Sequence, residues 1–292
     1  WVVKVDLRKG RVMQTRFLHL AEGTIAFDDQ GQGPLVVCLP AGGDLRSEYR
    51  FLTPQLVKAG YRVVTVDLRG QGESSAVWPS YSAAAVGSDV LALIDQVNAG
   101  PAIVVATSVA AAGAIWAAAE GPAKIAGLVL VGCFARAASP GLMRLLTGVL
   151  LAPWWGRALY AAYFPKLYPS ARPADFAEHL GKVRAMLGEP GRLRALRLLF
   201  ATVGTEWDAR LAQIRAPALI LMGSRDPDFR QPEQEAQLLA ERLSQAQTTV
   251  QIIAGAGHHP QAELPEIVGR TILAFFERLP ELDGMSQKKE SV

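Results

Sequence analysis

Charge is scarce where it would be most informative. No residue between Gln96 and Ala119 is charged, and over 292 residues 30 Lys and Arg nearly balance 27 Asp and Glu, for a net charge of +3. So small a surplus, with no basic stripe interleaved with aromatics, argues against a nucleic-acid partner. Cysteine is nearly absent. Cys38 and Cys133 are the only two, and each sits near the end of an apolar run. They read as buried reduced thiols in a reducing, cytoplasmic setting, with a bridge between them left open. With two Cys and four His, no spacing resembles a zinc site. There is no Gly-rich phosphate loop either, so no metal, nucleotide or flavin cofactor is expected. A membrane span is also missing. The uncharged run is long enough to suggest one, but Gly100-Pro101 break it near its start, the remainder is short, and no basic cluster flanks it. Leu145 to Leu151 is mostly apolar but far too short to cross a bilayer. The first twelve residues mix Val with Lys and Arg and lack the apolar centre of a signal peptide.

What is present suits a globular core. Half the residues are hydrophobic and a fifth are charged, enough to bury a sizeable interior without disulfides. Residues 1–12 read as an N-terminal extension that need not be native, with Met13 as a natural start. Short strands are expected over Gln14–Leu20 and Thr24–Asp28, then a fully apolar strand over Leu35–Leu39. A helix over Ser47–Ala59, a strand over Arg62–Val66 and a helix over Tyr81–Asn98 follow. After a strand at Ala126–Val131 the rhythm breaks. From Ser139 to about Thr205 there are only helical segments rich in Leu, Ala and Arg, punctuated by Pro153, Pro165, Pro169, Pro173 and Pro190. Trp154, Trp155, Tyr160, Tyr163 and Phe164 gather there, either as the core of a small helical subdomain or as the inner face of a lid over an apolar pocket. The rhythm resumes with strands at Ala218–Met222 and Thr249–Ile253 and helices at Gln231–Leu243 and Leu264–Leu279. Alternating strands and helices imply a mostly parallel central sheet with helices on both faces. The expected organisation is a core over residues 13–135 and 206–283, a helical cap over 136–205, and a flexible tail over 284–292.

The chain is organised around Ile103–Ala119. Ile103-Val104-Val105 is an apolar, β-branched run of the kind a buried parallel strand needs. The alanine-rich run beyond it favours helix. Between them Ser108 occupies a sharp turn, where a non-glycine residue bears about 1–3 kcal/mol of backbone strain. Crowding there admits only small residues two positions away, and Ala106 and Ala110 meet that demand. The turn lifts the Ser108 hydroxyl above the sheet edge and aims the Val109 N–H and the helix N-terminus at the same point.

A serine needs a base, and the base needs an orienting group. Loops at the carboxyl ends of three strands supply Ser108, Asp226 and His258, where open parallel sheets place their sites. In Asp67-x-Arg69-Gly70-x-Gly72-x-Ser74, Gly223-x-x-Asp226 and Gly255-x-Gly257-His258, in order around a small-x-Ser-x-small elbow, the sequence resembles the α/β-hydrolase superfamily, in its lidded, esterase-like branch. The resemblance covers about residues 14–283. It implies the α/β-hydrolase fold with Ser108 as nucleophile, His258 as base and Asp226 as orienter. The oxyanion would be held by the backbone N–H groups of Gly42 and Val109. Two departures stand out: Pro40-Ala41 replaces the usual His-Gly, and alanines replace the elbow glycines. Asp228 rivals Asp226, with helix capping as its other reading, and His259 rivals His258. Ala41, Trp154, Trp155 and His259 are candidate substrate-facing residues. Asp44, Arg46 and Tyr49 either face the pocket or, for Asp44 and Arg46, cap a helix and meet solvent. His19 and His179 read as surface or packing residues, and Asp67, Arg69 and Ser74 as bracing of a turn.

The expected activity is hydrolysis of small to medium carboxylic esters through an acyl-enzyme, with a small-molecule ester as partner. Serine at the elbow argues against epoxide and haloalkane chemistry, which an aspartate there would suggest. The alternatives are lactone, carbon–carbon, peptide N-terminal or peracid substrates on the same triad, or a catalytically weak ligand-binding homologue. No oligomeric state is legible.

Overall fold

Continuous apolar runs mark strands that are covered on both faces, and here they build the middle of a sheet. The computed structural model describes residues 3–6, 11–136, 140–201 and 207–279. β1 (Val3–Asp6) and β2 (Arg11–Gln14) pair as a separate antiparallel ribbon. The main sheet holds β3 (Arg16–Leu20), β4 (Gly23–Gln30), β5 (Leu35–Leu39), β6 (Arg62–Val66), β7 (Ala102–Thr107), β8 (Ile125–Val131), β9 (Ala218–Gly223) and β10 (Thr248–Ile253). Their order is β10-β9-β8-β7-β5-β6-β4-β3. β4 is antiparallel to both its neighbours, and every other neighbouring pair is parallel. β5, β7, β8 and β9 are buried at every position.

Successive residues of a strand point to opposite faces, and two cores follow. Val37, Val104, Leu130 and Ile220 pack on one face with α2 (Ala83–Val97) and α3 (Ala110–Glu120). Val36, Val105, Val129 and Leu219 pack on the other with α1 (Leu52–Lys58) and the last helix, Pro265–Phe276. α2 and α3 approach closely because they meet at glycines: a Cβ on Gly113 would lie 2.4 Å from Val86, and one on Gly87 2.5 Å from Trp116.

Between β8 and β9 stand α4 (Pro140–Leu150), α5 (Gly156–Tyr163), α6 (Phe176–Gly188) and α7 (Arg192–Ala201). Phe164, Tyr168, Phe176, Val183 and Leu196 form a third, smaller core there. α8 (Pro232–Arg242), α9 (Pro260–Glu263) and α10 (Pro265–Phe276) complete the chain.

Three expected elements differ in detail. The helix expected over Ser47–Ala59 is a 3-10 turn at Arg46–Tyr49 followed by α1. Restarting at Leu52 leaves Pro54 in the first turn, where its missing N–H costs nothing. The helix expected over Leu264–Leu279 is α10, which starts one residue later and ends three residues sooner. The strand expected from Gln14 splits at Thr15 between β2 and β3. The expected tail over 284–292, residues 1–2 and 7–10 of the stretch 1–12, and the segments at 137–139 and 202–206 lie outside the described residues. Cys38 and Cys133 are both buried and free, and burial pushes both thiols far up from their usual range.

Candidate active site

Ser108 takes a φ of 57° at the turn joining β7 to α3. The left-handed region is costly for a side chain, so the conformation must be held. Its N–H donates to the Val131 carbonyl at 2.8 Å, and its own carbonyl accepts from Ala111 at 3.0 Å. Ala106 and Ala110 on either side are fully buried. Ser108 borders a cavity of about 460 Å³ whose walls include Val109, Leu151, Tyr160, Phe200 and Asp228.

The loops after β9 and β10 bring Asp226 and His258 together. Nδ1 of His258 donates to Oδ2 of Asp226 at 2.7 Å, which leaves Nε2 as the ring's other functional nitrogen. Oδ1 of Asp226 accepts the Asp228 N–H at 3.0 Å, so both its oxygens are fixed. Asp228, the rival, lies 3.6 Å from His258 Nδ1 and accepts the Tyr163 hydroxyl. Burial acts to lower the basicity of His258, but the Asp226 and Asp228 carboxylates outweigh it, and the imidazole is raised to about 9. The His258 N–H donates to the Leu167 carbonyl at 2.9 Å, between α5 and α6. Glu263 ties down the same loop by accepting from Gly257 at 2.6 Å and from the Ser170 N–H at 3.0 Å.

The end of β8 joins the two halves. Val131 receives the Ser108 N–H, and the next residue, Gly132, has a φ of 55°. A Cβ there would stand 3.0 Å from His258 Cε1 and 3.3 Å from Asp226 Oδ2. Glycine is thus what lets the imidazole seat against the strand end beneath Ser108. No hydrogen bond joins the Ser108 hydroxyl to His258 in this structure. Serine–base contacts are often long before substrate arrives and tighten in the reacting complex.

Opposite Ser108 lies the loop after β5. The Ala41 N–H donates to Glu48 at 2.7 Å and the Gly43 N–H to Gln71 at 3.0 Å. The Gly42 N–H between them has no partner among the described residues, and neither has the Val109 N–H. The two positions touch: a Cβ on Gly42 would come within 2.7 Å of Val109 Cγ1. The Tyr160 hydroxyl of α5 donates to the Gly42 carbonyl at 2.8 Å.

Where a loop histidine is usual, a buried polar network holds this loop. Glu48, fully buried, accepts from Ala41 and from Gln261. Gln261 also donates to Thr107, which bonds the Tyr49 hydroxyl, and Tyr49 donates to the Leu39 carbonyl. His179 is a packed and not a surface residue: it is buried with its ring against Phe164, and its Nε2 donates to Asp44 Oδ1 at 2.7 Å. Burial pushes the Asp44 carboxyl up, but His179, His259 and the Leu45 N–H hold it below the usual carboxylate range. Arg46 is not solvated either. It is buried among Asp28, Asp67 and Glu73. Neither reading given to Asp44 and Arg46 therefore applies. His19 is exposed. Arg69 pairs with Asp89, and Ser74 bridges the Asp67 carbonyl and the Ala26 N–H, so these residues brace their turn.

The candidate substrate-facing residues are placed otherwise than expected. Trp154 and Trp155 are 85% and 50% exposed on the outer surface and do not line the cavity around Ser108. They lie outside the small core that Tyr160 and Phe164 share. Ala41 is buried with its N–H on Glu48. His259 is fully buried and stacks on Tyr168 with ring centroids 4.9 Å apart. Among the described residues two groups have ligating atoms within 4.8 Å of one another, as a cation would need: Asp44, Glu48 and His259, and Asp226, Asp228 and His258. In the second, Asp226 already holds His258. Gly132, Glu48, Gln261, Tyr160 and His179 were not singled out for these roles in the sequence. Only Gly132, directly after a buried strand, carries a local signal.

Comparison with known proteins agrees with this architecture. The sequence profile of the alpha/beta hydrolase family matches residues 36–270. The chain is 28% identical over 255 residues to the dihydrolipoyllysine-residue acetyltransferase component of the acetoin cleaving system of Pseudomonas putida, a match covering 85% of this chain and 65% of that protein. The chain thus spans just under two thirds of that relative's length. Among solved structures, a hydrolase from Pseudomonas aeruginosa PA01 superposes with a TM-score of 0.75 at 25% identity, covering 90% of this chain and 98% of that one. A thermophilic esterase from Thermogutta terrifontis shares the fold, with a TM-score of 0.74 at 22% identity, covering 91% and 99%.

Proposed function

Since the chain belongs to the alpha/beta hydrolase family, we propose that it is a serine hydrolase cleaving small to medium carboxylic esters through an acyl-enzyme. The observation that carries this reading is the convergence on the end of β8: the strained Ser108 bonds to Val131, and the His258–Asp226 pair packs on Gly132. His258, oriented by Asp226 through Nδ1, takes the Ser108 proton on Nε2 as the hydroxyl attacks the ester carbonyl. The oxyanion that forms accepts the unpartnered N–H groups of Gly42 and Val109, each worth about 3 kcal/mol of barrier. Nε2 returns the proton to the leaving alkoxide, and water then cleaves the acyl-enzyme by the same route. Val109, Leu151, Phe200 and Tyr160 give the cavity apolar walls suited to an acyl or alkyl chain. The helices between β8 and β9 act as its lid, with Tyr160 tying lid to oxyanion loop. The two buried, free thiols accord with a cytoplasmic enzyme.

A panel of p-nitrophenyl esters from acetate to laurate, given to the wild type and to Ser108→Ala, tests the reading. Turnover by the wild type alone supports it. Inertness of both toward every ester rules out the esterase activity.

A further inference from the structure

α4 is built inside out. Leu142, Leu145, Leu146, Val149 and Leu150 recur at the spacing that makes one apolar stripe on a helix, and such a stripe ordinarily faces a core. Here all five lie between 43% and 65% exposed, while Thr147 on the other side is buried. The stripe continues into Trp154 and Trp155 and then Leu159, which is 43% exposed. Only Val77 and Ile267 are comparably exposed large apolar residues elsewhere among the described residues. A patch so concentrated marks an interaction surface.

Charge indicates what covers it. Residues 136–201 carry ten Lys and Arg against three Asp and Glu, a net charge of +7, and the rest of the chain, with twenty against twenty-four, stands at −4. Beside Trp154 runs a groove of about 430 Å³ lined by Arg157, Arg194 and Arg197. None of these three makes an ion pair among the described residues, and the one acid on the groove, Glu189, is held by Arg192 at 3.0 Å. Two copies of this face would repel each other. An apolar strip with adjacent tryptophans, flanked by free arginines, matches a surface with hydrocarbon below and negative headgroups above. Among the described residues no helix is long and apolar enough to cross a membrane, so the contact is one of lying on it.

We infer that the outer face of α4 and α5 docks on an anionic lipid surface, with the Leu and Trp side chains in the interface and the Arg157–Arg194–Arg197 groove holding negative headgroups. Leu150 and Leu159 belong both to this face and to the wall of the cavity around Ser108. Docking therefore sets the cavity's rim at the lipid surface.

Flotation of the full chain with vesicles of equal parts phosphatidylglycerol and phosphatidylcholine tests the inference. Binding is expected to these vesicles and not to phosphatidylcholine alone. It should fall more than tenfold in Arg157→Glu/Arg194→Glu, and equally in Trp154→Ser/Trp155→Ser, with thermal melts showing both variants folded. The tryptophan emission of the wild type should shift to the blue on binding, and that of the double serine variant should not. Absence of binding to the anionic vesicles at low salt overturns the inference, as does binding that neither variant weakens. A dimer in sedimentation velocity that Trp154→Ser/Trp155→Ser dissociates, without vesicle binding by the wild type, would assign the face to a second copy instead. The readout uses no substrate, so it stands or fails separately from the hydrolase reading.

Discussion

Ser108 and Asn98 are the only described residues other than glycine with positive φ, and their strain has different uses. Asn98 closes a helix in the left-handed conformation common at helix ends. Ser108 lifts a hydroxyl toward a cavity. Ser108→Gly should therefore raise stability by about 1 kcal/mol while abolishing turnover, a separation that denaturant melts and ester assays would show. His258 gives a pH signature. Its folded value of about 9 lies above the ordinary 6.5, so the stabilisation from its carboxylate partners is complete below pH 6.5 and is lost as the pH rises through about 9. Its base form is populated in the same window, so kcat/KM should climb with pH along that limb. Asp228→Asn removes one of the two carboxylates that raise it and should move the limb down by about one pH unit. Asp226→Asn should cost on the order of 10⁴ in rate through loss of the tautomer. Asp226 and His258 were legible because each follows a strand within a short glycine-bearing pattern. His179 was not, since its partner Asp44 lies 135 residues away in the chain and no local pattern encodes that distance.

At the scale of elements, strands were the most legible part. A strand buried on both faces must be apolar throughout, and β5, β7, β8 and β9 could be located from that alone. The helix expected over Ser47–Ala59 was blurred near Pro54, where apolar periodicity runs on but the backbone restarts. The tryptophans misled for a related reason: an apolar stripe shows which residues share a face but not whether that face meets a core or solvent. The loop after β5 shows the cost of reading one motif in isolation. Its missing histidine is replaced by groups drawn from the 3-10 turn, α6 and α9, which only tertiary structure assembles. His179→Ala would leave the Asp44 carboxylate buried without its ring partner and should cost about 3–5 kcal/mol, measurable by denaturant unfolding. Gly132→Ala would press a Cβ against His258 at a positive φ. It should lower kcat by more than tenfold while KM changes little, because the ring that moves is the proposed base and not a wall of the cavity.

In the whole molecule, a sheet and its helices hold three loops at one edge, and the segment between β8 and β9 bonds to that edge through Tyr160, Leu167 and Ser170. The volume beneath, about 460 Å³ with largely apolar walls, predicts faster turnover of medium-chain esters than of acetate, with laurate falling off; the chain-length profile checks this directly. The most direct test of the central claim is mass-spectrometric mapping of a fluorophosphonate adduct on the intact protein. A single adduct on Ser108, absent from Ser108→Ala and formed far more slowly in His258→Ala, is the predicted result. Labelling of a different residue, or no labelling while the protein still hydrolyses esters, would contradict it.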